Sequence, residues 1–181
     1  MRKPIGIALS ILFFGGGAFF YLRIAGYHFI PAESWAREYG MHGVAFGWFA
    51  GLIGACGFAY LVKTNPKQAN IGAVKLSFLT VLGFIVLWGA GYLVVICTVP
   101  MVHAAVVSEE VRLPFTVGDP NDHGPRFCRK SIEVKDMPFL LNNLCGRPAE
   151  LGAILSPDDT VYAVGTGSRL GVYYSAFALR Q

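Results

Sequence analysis

The sequence predicts a membrane protein of the α+β class, with three transmembrane helices followed by a small β-rich extracytoplasmic domain. Three observations lead to this prediction. Hydrophobic residues make up 54% of the 181-residue chain and charged residues only 14%, whereas an average soluble domain carries about 25% charged residues. Three long stretches contain no charged residue and no histidine. The chain from residue 104 to residue 181 is instead polar, rich in turn-forming residues, and patterned in short alternating runs.

The three apolar stretches are long enough to cross a bilayer as helices. They cover approximately residues 5–22, 43–62 and 76–99. A hydrocarbon core of about 30 Å needs about 20 helical residues. The first stretch also has the alternative interpretation of a cleaved signal peptide. We expect an uncleaved anchor, because the apolar run exceeds about 15 residues and bulky side chains follow it where a cleavage site needs small ones.

Basic residues next to the spans predict the orientation of the chain. These residues are Arg2, Lys3, Lys63, Lys67 and Lys75. The positive-inside rule places them in the cytoplasm, with the N-terminus, so that residues 104–181 lie outside. In a bacterial inner membrane this side is the periplasm. From residue 104 onward basic and acidic residues nearly balance, so the net charge of +4 belongs to the membrane edges. A nucleic-acid partner is not expected.

Small residues recur at every fourth position of the second span. They are Gly43, Gly47, Gly51, Ala55 and Ala59. This spacing keeps them near one face of a helix. Lipid offers no hydrophobic reward for helix association, so helices associate through close backbone approach, which small residues permit. We expect a helix-packing strip, facing the first span, the third span or a second copy of the chain.

The segment from residue 104 to residue 181 carries the signals of a small barrel or sandwich. The predicted elements are strands over 111–117 and 127–134, a short helix over 136–146, and a β-hairpin of strands 160–167 and 170–179. Asp136 would cap the helix and Gly146 would end it. Ser168 and Arg169 would join the two strands of the hairpin.

The four cysteines fall into two settings. Cys56 and Cys97 lie within apolar spans, where cysteine serves as a small packing residue. Cys128 and Cys145 lie in the domain outside the membrane, so we predict that they form a disulfide. A pair of free buried thiols is the alternative. The chain has no Cys-x-x-Cys pair, which argues against thiol-exchange catalysis.

The sequence contains no pattern that predicts a catalytic, cofactor or metal site. His28, His42 and His103 fall near the predicted outer membrane surface, without the spacing of a helical metal or haem site. Asp119, Asp122 and His123 share a Pro- and Gly-containing segment typical of an exposed loop. The glycine-rich segment 165–171 lies between two strands and therefore indicates a turn, because a phosphate loop requires a following helix.

The leading functional hypothesis is a non-enzymatic protein-binding module anchored in the inner membrane. Its periplasmic domain would engage another protein, either as an accessory subunit of an envelope complex or as an immunity-type protein against an incoming toxin. The sequence does not choose between these two roles. The alternatives are a membrane enzyme or redox subunit that uses His28, His42 and His103, and a channel or transporter component.

Overall fold

The structure of the chain is a computed structural model. It describes residues 28–64, 72–122, 128, 131–138, 141–146, 148 and 151–179. Over these residues the fold is α+β, with long apolar helices and a β-sheet domain. The first predicted span, residues 5–22, lies outside the described residues. The described chain divides into two compact units, one formed by residues 41–98 and the other by residues 28–40 and 99–179.

The helices are α1 (Glu33–Thr64), α2 (Ala73–Leu93), a π-helical turn (Val94–Thr98), α3 (Val99–Val107) and α4 (Leu151–Ile154). The strands are β1 (Phe29–Pro31), β2 (Glu109–Thr116), β3 (Ser131–Glu133), β4 (Asn143–Cys145), β5 (Thr160–Ser168) and β6 (Gly171–Leu179). The helical run from Ala73 to Val107 and helix α1 are both long and apolar enough to cross a membrane, judged by length and composition. Both begin before and end beyond the apolar stretches that the sequence predicts.

The π-helical turn has a cause in the sequence. Pro100 follows it within α3. A proline inside a helix lacks the N–H that would bond to the carbonyl four residues earlier, here Ile96, and its ring clashes with that carbonyl. A wider turn before the proline relieves this clash. The helical run therefore continues through Pro100 to Val107.

The larger sheet is antiparallel and has the strand order β1-β6-β5-β2. Strands β5 and β6 form the predicted hairpin, which the structure confirms, with Arg169 and Leu170 in the turn. Strands β3 and β4 form a separate two-stranded ribbon. An isolated antiparallel bridge pairs Val117, the residue after β2, with Val134, the residue after β3.

One hydrophobic core holds the domain together, and all six strands contribute to it. Its buried members are Ile30, Phe115, Val117, Ile132, Val134, Leu144, Leu155, Val161, Ala163, Val172 and Tyr174. Side chains alternate between the two faces of a strand, so the other face of β6 carries Tyr173, whose hydroxyl donates a hydrogen bond to the Met101 carbonyl in α3 at 3.3 Å. Helix α3 and the core thus cover opposite faces of the larger sheet.

The predicted short helix over 136–146 is wrong. Asp136 adopts the left-handed conformation (φ 58°) in a turn, and residues 143–145 form strand β4, with Leu144 opposite Ile132. Leu141 and Leu144 lie three residues apart, which imitates helical periodicity. The pairing with β3 overrides this local pattern, because it buries Leu144 in the core.

One strand also differs from the prediction in extent, and another was not predicted. Of the strand expected over 127–134, only Ser131–Glu133 is a strand among the described residues. The larger sheet contains the unpredicted strand β1, which lies in the segment that the sequence predicts as a loop between the first two spans. Strand β1 is only three residues long and contains Pro31, so it has no alternating run that would reveal it. Its partner β6 lies far away in sequence.

Candidate binding surface

The small-residue strip of α1 lies against α2 in the described structure. A Cβ added at Gly47 would come within 2.7 Å of the Trp88 carbonyl oxygen, and one at Gly51 within 2.8 Å of the Phe84 ring. Gly43 faces Ile96, and a Cβ at Gly54 would overlap Leu87. Gly47 and Gly51 therefore mark places where no larger side chain fits without a shift.

The other two members of the predicted strip lie differently. Ala55 is half-buried and Ala59 is exposed. From residue 43 onward, the buried small residues of α1 are Gly43, Gly47, Ala50, Gly51 and Gly54. They share one face because separations of three and four residues both occur among them, as the 3.6 residues per turn of an α-helix require, whereas a strict spacing of four drifts off the contact face.

The structure contains the disulfide between Cys128 and Cys145 that the sequence predicts. Cys145 is the last residue of β4, and its backbone N–H donates a hydrogen bond to the Tyr174 hydroxyl at 2.7 Å. The disulfide therefore lies beside the point where β4 meets β6. Cys56 is an exposed thiol and Cys97 a buried one.

The described histidines do not share a site. The ring of His28 stacks on Tyr174, with 5.6 Å between centroids, on the core side of the sheet. His103 Nδ1 lies 2.9 Å from Ser168 Oγ, on the side that α3 covers. His42 belongs to the other compact unit. His123 lies outside the described residues.

The polar groups of the predicted 119–123 loop make local hydrogen bonds. The Asn121 N–H donates to the Asp119 carboxylate at 2.8 Å, and the Ser131 hydroxyl donates to the Asp122 carboxylate at 2.9 Å. Among the described residues, no group of three or more His, Cys, Asp or Glu side chains has the arrangement of a metal site.

The described surface offers a different candidate site, the first two turns of α1 with a groove on each side. The sheet positions these turns directly. Strand β1 pairs with β6, and the Ala32 N–H then donates to the Leu170 carbonyl at 2.9 Å. Ala32 and Ala36 are buried, so the helix rests on its small residues and presents larger side chains to the grooves.

The first groove, which we name the aromatic groove, has a volume of about 420 Å³. It is lined by Ser34, Trp35, Glu38, Tyr39, Arg169 and Leu170. Trp35 and Tyr39 lie one helical turn apart and stack, with 4.0 Å between ring centroids and 20° between planes. Glu38 and Arg169 are both exposed, and within the described chain neither forms an ion pair. The groove therefore presents a stacked aromatic pair and two charges of opposite sign.

The second groove, which we name the edge groove, has a volume of about 300 Å³. It is lined by Ala32, Glu33, Ser34, Arg37, Leu113, Pro114, Phe115, Thr116 and Thr160. It combines a carboxylate and a guanidinium from α1 with a length of strand β2. Strand β2 ends the order of the larger sheet, so the groove adjoins a sheet edge.

The strand register shows which backbone N–H and carbonyl groups lie along the outer edge of β2. Ser168 and Gly171 flank the two-residue hairpin turn and pair with each other. The backbone N–H and carbonyl groups of successive residues point to alternate sides of a strand. In β2, the groups that point toward β5 are therefore those of Glu109, Val111, Leu113 and Phe115. The backbone groups that point outward, away from β5, are those of Glu110, Arg112, Pro114 and Thr116. The Thr116 carbonyl, which accepts a hydrogen bond from the Lys135 N–H at 2.9 Å, agrees with this assignment.

Pro114 occupies an outward position, where its missing N–H removes no bond to β5. This is the position that proline tolerates in a sheet. Among the described residues, no hydrogen bond accounts for the outward groups of Glu110, Arg112 and Pro114. At this edge, two N–H donors and three carbonyl acceptors therefore have no partner among the described residues.

Among the described residues of this domain, Tyr173 has a shifted pKa. Burial raises the pKa of the Tyr173 phenol above its usual value of 10.0. Its contact with the Met101 carbonyl lies in the packing between the sheet and α3. This residue belongs to the scaffold beneath the grooves rather than to either groove.

Comparison of the chain with models of known protein families, with curated proteins and with solved structures finds no match.

Sequence reasoning did not find either groove. Each one joins residues of α1 to a strand or turn far along the chain. The local signal was the segment from Glu33 to Tyr39, which contains three charged and two aromatic residues ahead of an apolar span. Such a segment also suits an ordinary interfacial helix end, so its partners in β2 and in the hairpin turn had to come from the fold.

Proposed function

We propose that the chain is an integral membrane protein whose extracytoplasmic domain binds an extended segment of another protein along the outer edge of β2. The observation that carries the proposal is the set of outward backbone groups at Glu110, Arg112 and Pro114. An exposed strand edge recruits a partner strand by main-chain hydrogen bonds, and neighbouring pockets select its side chains. The edge groove supplies such a pocket beside Leu113.

The short length of the open edge favours a specific partner over uncontrolled assembly. Exposed edges are commonly protected by charged residues and proline. Here Glu110, Arg112 and Pro114 limit pairing to a few bonds. Glu33 and Arg37 line the edge groove with opposite charges. A partner side chain of either charge could therefore form an ion pair there. We infer a binding module rather than an enzyme.

Membrane insertion is supported by the surface of the long helices. Trp48, Phe49 and Leu52 on α1 and Phe78 on α2 are more than half exposed in the described structure. In water such a surface would be costly, whereas in lipid it is the expected exterior. Lys63 at the end of α1 and Lys75 at the start of α2 support a cytoplasmic connection between the helices. The disulfide supports an oxidising compartment for the β-domain.

Photo-crosslinking in native membranes tests the strand-addition proposal. A photoreactive amino acid is placed at Glu110 or Pro114, whose positions face outward from the edge. The same amino acid at Thr166, an exposed residue of the central strand β5, is the control. We expect a discrete cross-linked product from the two edge positions and none from Thr166. Mass spectrometry then identifies the partner, and the purified pair is tested directly.

Two substitutions at Arg112 separate the backbone from the side chain. Arg112→Pro removes the outward N–H, as Pro114 already does two residues later, whereas Arg112→Ala keeps it. With the cross-linker at Glu110, we expect the product to be lost in Arg112→Pro and retained in Arg112→Ala. A non-reducing gel that shows the disulfide intact verifies folding. Equal cross-linking from Thr166, or full cross-linking in folded Arg112→Pro, would overturn the proposal.

A further inference from the structure

We propose that the strand added to the outer edge of β2 is β2 of a second copy of this chain. The two strands run antiparallel around a two-fold axis at Val111, with Glu110 of each copy opposite Arg112 of the other. The inference rests on the proposed strand addition and names its partner. A two-fold axis lets the same edge serve both copies, as in most symmetric protein dimers.

The open part of the edge is short. Ser108, which precedes β2, has a left-handed conformation (φ 50°), and its N–H donates to the Ala104 carbonyl at 2.9 Å. Pro114 has an outward carbonyl but no N–H. Only Glu110 and Arg112 therefore combine an outward N–H with an outward carbonyl, and among the described residues these groups have no partner.

The charges of β2 select one register for pairing between two copies. Outward residues that lie directly opposite each other in an antiparallel pair exchange two main-chain hydrogen bonds. With Val111 on the axis, Glu110 faces Arg112 of the second copy, and this pair occurs twice. An axis at Glu110 or at Arg112 places like charges directly opposite each other, which is destabilising. An axis at Leu113 places Arg112 opposite Pro114, which has no N–H to donate.

The side chains of Glu110 and Arg112 are available for ion pairs between the copies. Both are exposed, and neither has an ion pair or a side-chain hydrogen bond with another described residue. They lie on the face of β2 that points away from the core, because Val111 and Leu113 pack against the core and side chains alternate along a strand. In the proposed register, charges of opposite sign are neighbours both along each strand and across the pair.

The same register also limits the pairing to a few bonds. The next outward pair consists of Ser108 and Pro114 of the second copy. Ser108 uses its N–H within its own chain and Pro114 has none, so no further hydrogen bond forms there. Because each copy uses the same edge of its sheet, the pairing closes as a dimer.

Disulfide trapping of the full-length chain in native membranes tests the register. Cys56→Ala and Cys97→Ala first remove the two free thiols. Val111→Cys then places two thiols at the axis, where a Cα–Cα distance of about 4.5 Å lies within the disulfide range. Leu113→Cys is the matched control, because it is also half-buried on the same face of β2, but lies about 13 Å along the strand from its counterpart. We expect Val111→Cys to form linked dimers at least about tenfold faster than Leu113→Cys.

Charge reversals in the Val111→Cys chain test the ion pairs. Glu110→Arg or Arg112→Glu alone places like charges opposite each other in both pairs and should slow dimer formation about tenfold. The double reversal restores opposite charges and should return the rate to within about threefold. Co-expression of the two single reversals should give mixed dimers in preference to self-dimers. Arg169→Glu, which reverses an exposed charge in the hairpin turn, is the control and should leave the rate unchanged.

Peptide mapping that shows Cys128 linked to Cys145 verifies the folding of each variant. Absence of linked dimers, equal trapping by Val111→Cys and Leu113→Cys, or an unchanged rate in a folded single reversal would overturn pairing between copies. If photo-crosslinking from Glu110 then captures a different protein, strand addition stands and only the second copy is excluded as its partner. If the edge gives neither linked dimers nor cross-linked products, both proposals fail.

Discussion

Gly47 of α1 lies so close to the Trp88 carbonyl of α2 that an added Cβ would be 2.7 Å from that oxygen. The contact is with backbone, which cannot rotate aside as a side chain can. Gly57, on the same helix, has nothing within 4 Å of its Cβ position among the described residues. The two glycines therefore form a matched pair for testing how α1 and α2 pack.

We expect Gly47→Ala to lower the free energy of unfolding by about 1–3 kcal/mol, since the methyl group overpacks the interface. Gly57→Ala adds the same methyl group to open space and should be neutral or stabilising by up to about 1 kcal/mol, from helix propensity. Unfolding in mixed detergent micelles, followed by tryptophan fluorescence, measures both. Equal effects of the two substitutions would show that Gly47 has no special packing role.

Removal of the disulfide should destabilise the β-domain. The bond between Cys128 and Cys145 closes a loop with a sequence separation of 17, for which the chain-entropy relation gives about 3 kcal/mol. We expect the double variant Cys128→Ala/Cys145→Ala to unfold at a correspondingly lower denaturant concentration. Reduction of the unaltered chain should reproduce the shift. Cys56→Ala, which removes an exposed free thiol, serves as the control and should leave the midpoint unchanged.

The hydroxyl of Ser168 connects three elements of the domain. It lies 2.9 Å from His103 Nδ1 and accepts a hydrogen bond from the Leu170 N–H at 3.2 Å, while the residue itself is buried. We expect Ser168→Ala to lower the free energy of unfolding by about 1–3 kcal/mol, because partly buried polar groups lose their partner. Thr166→Val removes an exposed hydroxyl of the same strand and keeps a β-branched side chain. An equal loss in both variants would contradict the role assigned to Ser168.

The stability of the β-domain should fall in alkali, and Tyr173 should carry part of that dependence. Burial raises the pKa of its phenol above 10.0 in the folded state. At a pH above the unfolded pKa, the unfolded chain releases this proton while the folded chain retains it. Stability from this group is therefore complete below about pH 10 and declines as pH rises through the folded pKa.

Tyr173→Phe should flatten the loss of unfolding free energy above about pH 10. Denaturant unfolding at each pH, after the free thiols have been alkylated, measures the slope. Tyr162→Phe removes a phenol from β5 of the same sheet and is the control. A slope that is the same in Tyr173→Phe as in the unaltered chain would assign the pH dependence to other groups.

The proposed topology predicts when a membrane-impermeant maleimide reaches the disulfide cysteines. Single-cysteine and paired-cysteine variants at positions 128 and 145 are compared by gel shift. In cells with an opened outer membrane and an intact inner membrane, we expect the paired form to be labelled only after reduction. Labelling without reductant, and only after the inner membrane is broken, would place the domain in the cytoplasm. Such a result would remove the support that the disulfide gives to an oxidising compartment.

The sequence by itself determined the features that depend on residues close together in the chain. The apolar residues of 43–62 and 76–99 predicted long helices, because uncharged runs of that length are typical of membrane-spanning helices. Two alternating runs, with Ser168 and Arg169 predicted between them, indicated the hairpin of β5 and β6, whose turn in the structure is Arg169 and Leu170. The disulfide followed from having two cysteines outside the apolar stretches.

Only the tertiary structure decided the features that depend on distant partners. The spacing of Leu141 and Leu144 is compatible with a helix. The segment instead forms strand β4, because pairing with β3 buries Leu144 against Ile132, and this burial outweighs the local helix propensity. Phe29–Pro31 is a strand only because β6 pairs with it, and that pairing starts α1 beside the hairpin turn. The two grooves exist for the same reason. Their lining residues come from segments far apart in the chain, and no local pattern encodes which segments the core will bring together.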